Sequence, residues 1–294
     1  MNEVCPVFEV RNLSFCYPGQ DKGLVNVNCC VPAGKKTVIL GPNGAGKSTL
    51  LWVFMGILRP QRGLVLFQDK PLDYSKSGLL SLRSRVGLVM QNPDTQVFCP
   101  TVYQDVAYGP TNAGLPKSDV ARRVESALES VGAAHLVHRP VPFLSFGEKQ
   151  KVALAGVLAM RPSVILLDEP ASGLDTAGID SLFSELNRLF AGGTTLVMTT
   201  HDIDLAWNWA DYFIIMNSGT AVWEGEYAEL SRDPRVLVNC GLKLPTVAVV
   251  YEDLVNRGVL PSSVPRPRNI EALMRLIGPC SPSQRASVSN RGRS

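Results

Sequence analysis

The sequence predicts an α/β fold, in which a mostly parallel β-sheet carries helices and is joined to a smaller antiparallel unit. Three observations predict it. The short apolar strand Lys36–Leu40 leads straight into a glycine-rich loop, later apolar strands alternate with helical stretches, and the amino-terminal segment alternates like antiparallel strands. With 294 residues and 45% hydrophobic content, the chain is long enough to bury a large core.

Composition limits the classes of partner. A formal net charge of +3 is too small to favour nucleic acid, so no nucleic-acid partner is expected. Seven scattered cysteines with no CxxC pair are typical of reduced thiols in the cytosol. No apolar run reaches the roughly 18 residues that span a bilayer, and the longest, 50–58, is interrupted by Gly56. We therefore expect a chain that does not cross a membrane by itself.

The first part of the chain predicts strands and one helix. Apolar runs bounded by turn residues predict strands at 7–17, 24–31, 36–40, 64–67 and 86–90. A helical pattern begins at Lys47 and ends before Arg59 and Pro60, because proline cannot continue a helix. The first two strands are expected to form the antiparallel unit.

A helical segment interrupts the strands between residues 95 and 160. Val120, Val124 and Leu128 recur at helical spacing after Ser118, which is expected to cap that helix. A second helix is expected from Gly147 onward. We predict a helical subdomain over 95–160, inserted into the α/β core.

The α/β core is expected to resume after this insertion and to end near residue 231. Strands and helices alternate there as in a parallel sheet, at 163–168, 176–190, 194–199, 203–210 and 212–217. We predict one domain over 1–231 and a small helical extension over 232–278, which is a candidate for dimerisation. Residues 279–294 are rich in serine and arginine and predict a disordered tail.

The loop after Leu40 is expected to bind phosphate. Its pattern, Gly-x4-Gly-Lys-Ser between a strand and a helix, lets backbone N–H groups and a helix N-terminus face an anion. Lys47 is expected to reach the β- and γ-phosphates and to serve catalysis, and Ser48 to bind Mg²⁺. An accidental glycine-rich turn is the alternative. The residues expected to bind nucleotide are Gly41, Pro42, Asn43, Gly44, Ala45, Gly46, Lys47, Ser48 and Thr49.

Two carboxylates, Asp168 and Glu169, lie at the end of the apolar strand that begins at Val164. Asp168 ends the strand, where a parallel sheet would present it to Mg²⁺. Glu169 comes next and is positioned to orient or deprotonate an attacking water. Without a phosphate-binding loop upstream, Asp-Glu-Pro would be only a polar turn.

These motifs together resemble the ATP-binding cassette ATPases over roughly residues 6–230. The distinguishing piece is Leu144-Ser-Phe-Gly-Glu148, which is similar to the family signature Leu-Ser-Gly-Gly-Gln. The resemblance implies ATP and Mg²⁺ as cofactors, and a head-to-tail homodimer in which Ser145 and Gly147 reach the γ-phosphate bound by the partner. Phe146 and Glu148 depart from the family pattern.

The resemblance also implies roles for four further residues. Tyr17 matches the aromatic that stacks on adenine, with a core or edge-strand tyrosine as the alternative. Gln91 matches the glutamine that senses Mg²⁺ and the attacking water. Asp175 matches the aspartate that couples the two sites, and His201 the histidine that contacts the γ-phosphate.

Sequence motifs that are less specific than the catalytic ones resemble one branch of the family, the energy-coupling-factor transporters. Gln91-Asn-Pro-Asp-x-Gln96 is similar to that branch, and the segment after Ser145 is similar to its cobalt-type ATPases. The resemblance implies a peripheral ATPase on the cytoplasmic face of the cell membrane, docked on a membrane coupling protein and a substrate-specific membrane subunit. Cobalt is the first candidate for the imported substrate. A nickel or vitamin importer, a soluble non-transport cassette ATPase and a phosphate-loop kinase are the alternatives.

Overall fold

The computed structural model describes residues 6–19 and 23–277. The predicted disordered tail, 279–294, lies outside these residues. The strands are β1 Pro6–Cys16, β2 Gly23–Pro32, β3 Lys36–Leu40, β4 Arg62–Phe67, β5 Lys70–Pro71, β6 Val86–Val89, β7 Val164–Asp168, β8 Thr195–Thr200, β9 Tyr212–Asn217 and β10 Thr220–Glu226. The helices are α1 Lys47–Phe54, α2 Lys76–Arg83, α3 Val102–Asn112, α4 Lys117–Ser130, α5 Phe146–Leu158, α6 Thr176–Ala191, α7 Ile203–Trp209, α8 Tyr227–Arg232, α9 Arg235–Asn239, α10 Thr246–Asn256 and α11 Ile270–Ile277.

The strands form two sheets, as the fold class predicted. The main sheet has the order β10-β9-β3-β8-β7-β6, and all its neighbouring pairs are parallel except β10 with β9. The smaller sheet, β2-β1-β4-β5, is antiparallel. The carboxyl ends of the parallel strands meet at one edge, where Leu40 lies beside Thr200 and Asp168 beside Thr199. Loops from four strands can therefore meet there.

Two hydrophobic cores hold the sheets and helices together. The first fills the space between the antiparallel sheet, α1 and one face of the main sheet, where the rings of Phe8 and Phe54 stack at 4.7 Å. The second covers the other face with the inserted and C-terminal helices, and Trp207 is its largest fully buried side chain. Leu237 and Leu273 of the C-terminal helices belong to this second core. The proposed boundary at residue 231 falls inside α8, and Leu230 before it shares this second core with Leu237 after it.

Several local predictions need correction. Ser118 does not cap α4, because Pro116 occupies the cap and the helix begins at Lys117. Proline suits this place since its φ, here −55°, already fits the start of a helix. The described residues contain three α-helices between 95 and 160 rather than two. The additional helix, α3, contains Pro110, which hides its helical pattern.

The membrane prediction can be compared with helix lengths. The longest described helix, α6, has 16 residues. Within residues 6–19 and 23–277, no helix is both long and apolar enough to cross a bilayer.

Candidate functional site

The phosphate-binding loop joins β3 to α1 in the conformation that its glycines require. Gly44 and Gly46 have φ of 80° and 96°, which side chains other than glycine rarely adopt. A Cβ on Gly41 would lie 2.3 Å from the carbonyl oxygen of Met216. The loop is therefore built around glycine, and its N–H groups and the N-terminus of α1 form a cradle for an anion.

Lys47 is the first residue of α1, and its side chain contacts the start of this loop. Its Nζ donates to the carbonyl oxygens of Gly41 at 2.9 Å and Pro42 at 3.2 Å, and its side chain is only 5% exposed. The same Nζ lies 3.2 Å from Glu169 Oε1. The loop cation and the carboxylate predicted to activate water therefore form a buried ion pair.

Asp168 and Ser48 provide oxygen ligands of the kind that Mg²⁺ prefers. Ser48 Oγ donates to Asp168 Oδ1 at 2.9 Å. Thr199 Oγ1 donates to the same carboxylate oxygen at 2.7 Å. Burial raises the pKa of Asp168, although hydrogen bonds from Thr199 and Ser48 act against that rise. The donor set of a carboxylate and a hydroxyl beside a phosphate cradle fits Mg²⁺.

Glu169 has an unusual backbone conformation, and Thr199 and His201 hold it in addition to Lys47. Its φ is 44°, in the left-handed region that residues other than glycine seldom occupy. Its N–H donates to Thr199 Oγ1 at 2.9 Å, and its Oε2 lies 2.7 Å from His201 Nδ1. Strain of this kind occurs at functional sites, where the surrounding contacts maintain it.

A cleft of about 690 Å³ brings most of the predicted site residues together. The volume lies within the range of about 300–1,000 Å³ that is usual for small-molecule sites. Gln91 and His201 lie on its wall with Tyr17, whose hydroxyl is 3.2 Å from Thr49 Oγ1. The lining residues are Tyr17, Gly23, Asn43, Gly44, Gly46, Lys47, Ser48, Thr49, Gln91, Glu169, Ser172 and His201.

Ser145, Gly147 and Asp175 are not among the described residues that line this cleft. Ser145 caps α5: its Oγ accepts the N–H of Glu148 at 3.3 Å, and Glu148 Oε2 accepts the N–H of Ser145 at 2.7 Å. Asp175 caps α6, where its Oδ1 accepts the N–H of Gly178 at 2.8 Å. Ser145 and Asp175 thus lie at helix N-termini, outside the lining of their own chain's phosphate cleft.

Phe146, which replaces a signature glycine, packs on the loop that contains Asp175. A Cβ placed on Gly173 would lie 3.0 Å from Phe146 Cε1, and Gly173 has a φ of 78°. Only glycine suits that conformation and that contact together. The bulk added at 146 is therefore accommodated by a glycine within the same chain.

Two further residues organise the site: Thr199, which no sequence motif marked, and Gln96, the last residue of the Gln91-Asn-Pro-Asp-x-Gln96 motif. Thr199 bridges Asp168 and the N–H of Glu169, and it comes one strand away from both. In the sequence, Thr199 can be recognised only as a hydroxyl residue near the carboxyl end of a buried strand. Gln96 accepts the N–H of Met90 at 2.8 Å and donates to the carbonyl of Leu88 at 3.0 Å. It thereby fixes the segment that precedes Gln91.

Sequence comparison matches this arrangement to known proteins. Residues 24–172 match the family described as ABC transporter. A putative ABC transporter ATP-binding protein of Methanosarcina mazei is 43% identical over 86% of this chain, which spans 56% of that protein's length. The energy-coupling factor transporter ATP-binding protein EcfA of Methanocaldococcus jannaschii is 44% identical, over 87% of this chain and 91% of its own.

Solved structures agree with the sequence comparison. The cbiO1 structure from Clostridium perfringens, part of the ABC transporter complex cbiONQ, matches with a TM-score of 0.71 and 39% identity, over 84% of this chain and 99% of that one. The dimeric ATP-binding cassette MJ0796, in a post-hydrolysis state with ADP and Pi, matches with a TM-score of 0.68 and 25% identity, over 75% and 98%. The chain therefore belongs to the ABC transporter family of ATPases, and its relatives there include energy-coupling factor transporter ATP-binding proteins.

Proposed function

We propose that this chain is the ATPase subunit of an energy-coupling-factor importer, working as a homodimer on the cytoplasmic face of the cell membrane. The observation that carries the proposal is the convergence of Lys47, Asp168, Glu169 and His201 at one edge of the sheet. Relatives named as energy-coupling factor transporter ATP-binding proteins support the importer assignment.

Several residues of the cleft, and the buried Asp168 beside Ser48, have proposed roles in hydrolysis. The glycine-rich loop and Lys47 bind the β- and γ-phosphates, while Tyr17 stacks on adenine. Ser48, Asp168 and Gln91 hold Mg²⁺, which neutralises phosphate charge when bound. As water oxygen bonds to the γ-phosphorus and the bond to the β-phosphate oxygen breaks, Glu169 accepts the proton of the water. His201 orients the Glu169 carboxylate and contacts the γ-phosphate.

The second half of each site is proposed to come from a second copy of the chain. Ser145, Gly147 and Asp175 lie outside the cleft lined by their own chain, and two of them cap helices whose N-termini favour an anion. A dimeric cassette among the similar structures supports this arrangement. ATP binding would close the dimer, and loss of the γ-phosphate would open it.

The transported substrate is proposed to be a transition-metal ion, with cobalt as the first candidate. The proposal rests on the resemblance of the segment after Ser145 to cobalt-type ATPases, and the similarity to cbiO1 is consistent with it. Nickel and a vitamin are the alternatives. A separate membrane subunit would select the substrate, so identifying that subunit would identify the substrate.

A pull-down from native membranes tests this function. Tagged Glu169→Gln would be recovered from gently solubilised membranes with ATP, and Lys47→Ala serves as the matched control that lacks phosphate binding. Recovery of a coupling protein with a cobalt- or nickel-type membrane subunit is expected. Recovery of a vitamin-binding subunit would contradict the proposal that the substrate is a metal ion. Recovery of ribosomes or DNA without membrane proteins would contradict the proposed role in transport.

A further inference from the structure

Both terminal nitrogens of the Arg139 guanidinium group donate hydrogen bonds to residues around the start of helix α5. Nη1 donates to Glu148 Oε1 at 2.8 Å, and Nη2 donates to the carbonyl oxygen of Phe143 at 3.0 Å. The other carboxylate oxygen of Glu148 accepts the N–H of Ser145. One guanidinium thus joins residues on both sides of Ser145.

Glu148 brings a negative charge to a helix N-terminus that the proposed function assigns to an anion. The signature of the family has a neutral glutamine at this position. The N–H groups of Phe146 and Gly147 begin the helix and have no acceptor within it, so they are available to a phosphate. An unpaired carboxylate in the same first turn would repel that phosphate, and pairing with a cation reduces the repulsion.

We propose that Arg139 is a positioning residue of the composite ATP site. By pairing with Glu148 it keeps the N-terminus of α5 receptive to the γ-phosphate of ATP bound by a second copy of the chain. The inference rests on the proposed function, because it requires the signature segment to face the partner's nucleotide. It predicts that the guanidinium at 139 becomes dispensable once the carboxylate at 148 is removed.

A suppression experiment tests this dependence in the Glu169→Gln chain, whose ATP-bound dimer is not consumed by hydrolysis. Sedimentation with Mg-ATP measures the dissociation constant of the dimer for four variants in that background: Arg139→Met, Arg139→Lys, Glu148→Gln, and Arg139→Met with Glu148→Gln. Binding of a fluorescent ATP analogue to dilute monomer is measured in parallel. This second readout depends on the phosphate-binding loop and is not expected to change.

Arg139→Met is expected to raise the dissociation constant of the dimer about two- to fivefold per site, as is typical for a charge at a helix terminus. Arg139→Lys keeps the charge and should lie between this variant and the parent. Adding Glu148→Gln to Arg139→Met should restore the constant to within about twofold of the parent.

Three outcomes would overturn the inference. Arg139→Met could dimerise as tightly as the parent, or Arg139→Lys could be as weak as Arg139→Met. The double variant could also stay as weak as Arg139→Met, as expected if only the bond to the Phe143 carbonyl matters. Failure of the Glu169→Gln parent itself to dimerise with ATP is a separate result, which overturns the proposed function and this inference with it.

Discussion

At the residue scale, the candidate site depends on polar side chains that meet across neighbouring strands. Thr199 on β8 donates to Asp168 on β7 and accepts the N–H of Glu169, and it is fully buried. The two acidic residues form a recognisable motif because they are adjacent in the sequence. Thr199 is distant from them in the sequence, and its contact with them depends on the pairing of β7 with β8.

Replacing Thr199 with valine should therefore affect both stability and catalysis. Valine fills the same space but leaves the Glu169 N–H without a partner and removes one of the two hydroxyl groups that donate to the Asp168 carboxylate. Loss of such a buried partner costs about 1–3 kcal/mol of unfolding free energy. Urea unfolding should show that loss, and the rate of ATP hydrolysis should fall because Glu169 is no longer held.

Thr37→Val is the matched control. Thr37 is also fully buried, on the adjacent strand β3, but its Oγ1 has no hydrogen-bond partner among the described residues. The same change should there be neutral or stabilising, since it removes an unsatisfied hydroxyl. Equal effects of the two substitutions would contradict the role given to Thr199.

At the element scale, helix α5 combines a structural cap with a proposed contact to the partner's nucleotide. Ser145 and Glu148 satisfy each other's backbone N–H groups, as in other capping boxes. The hydrogen bond from the Ser145 backbone lowers the pKa of Glu148, and the charge of Arg139 adds to that effect. Lys149 also ties the helix to Asp94 at 2.6 Å, close to Gln91 in the sequence.

The lowered pKa of Glu148 predicts a pH dependence with a defined sign. A carboxylate whose pKa is lower in the folded chain stabilises the fold above its ordinary value of 4.5, and that stabilisation is lost as the pH falls through the folded value. The wild-type chain should therefore lose more unfolding free energy than Glu148→Gln between pH 7 and pH 4.

Urea unfolding of both chains at the two pH values measures this difference. Glutamine can still accept the N–H of Ser145, so the comparison isolates the charge from the hydrogen bond. A gap between the two chains that does not narrow in acid would show that the carboxylate charge contributes nothing to the cap.

The same scale shows what sequence could and could not predict. Helix α5 begins at Phe146, one residue before the predicted start at Gly147. It was predictable because the signature motif and the apolar spacing coincide there. Helix α3 was not predicted, because Pro110 interrupts its helical pattern. Packing of Val102 and Val106 in the hydrophobic core stabilises this helix instead. Contiguous motifs were therefore predictable, whereas elements stabilised by distant contacts were not.

At the scale of the whole molecule, the central proposal is a site shared between two chains. The main sheet gathers the phosphate loop, both carboxylates and His201 at one edge, and this much followed from motif order along parallel strands. Ser145 caps a helix elsewhere in the chain. Under this proposal, a complete site needs Lys47 of one copy and Ser145 of the other.

Complementation between two inactive chains tests this claim most directly. Lys47→Ala removes the cation of the phosphate loop, and Ser145→Asp keeps a capping residue while placing a negative charge against the γ-phosphate. Each chain alone should be inactive. A 1:1 mixture should recover about a quarter of the wild-type ATPase rate, because half of randomly paired dimers carry one intact site. A mixture no more active than the two chains measured separately would contradict a shared site.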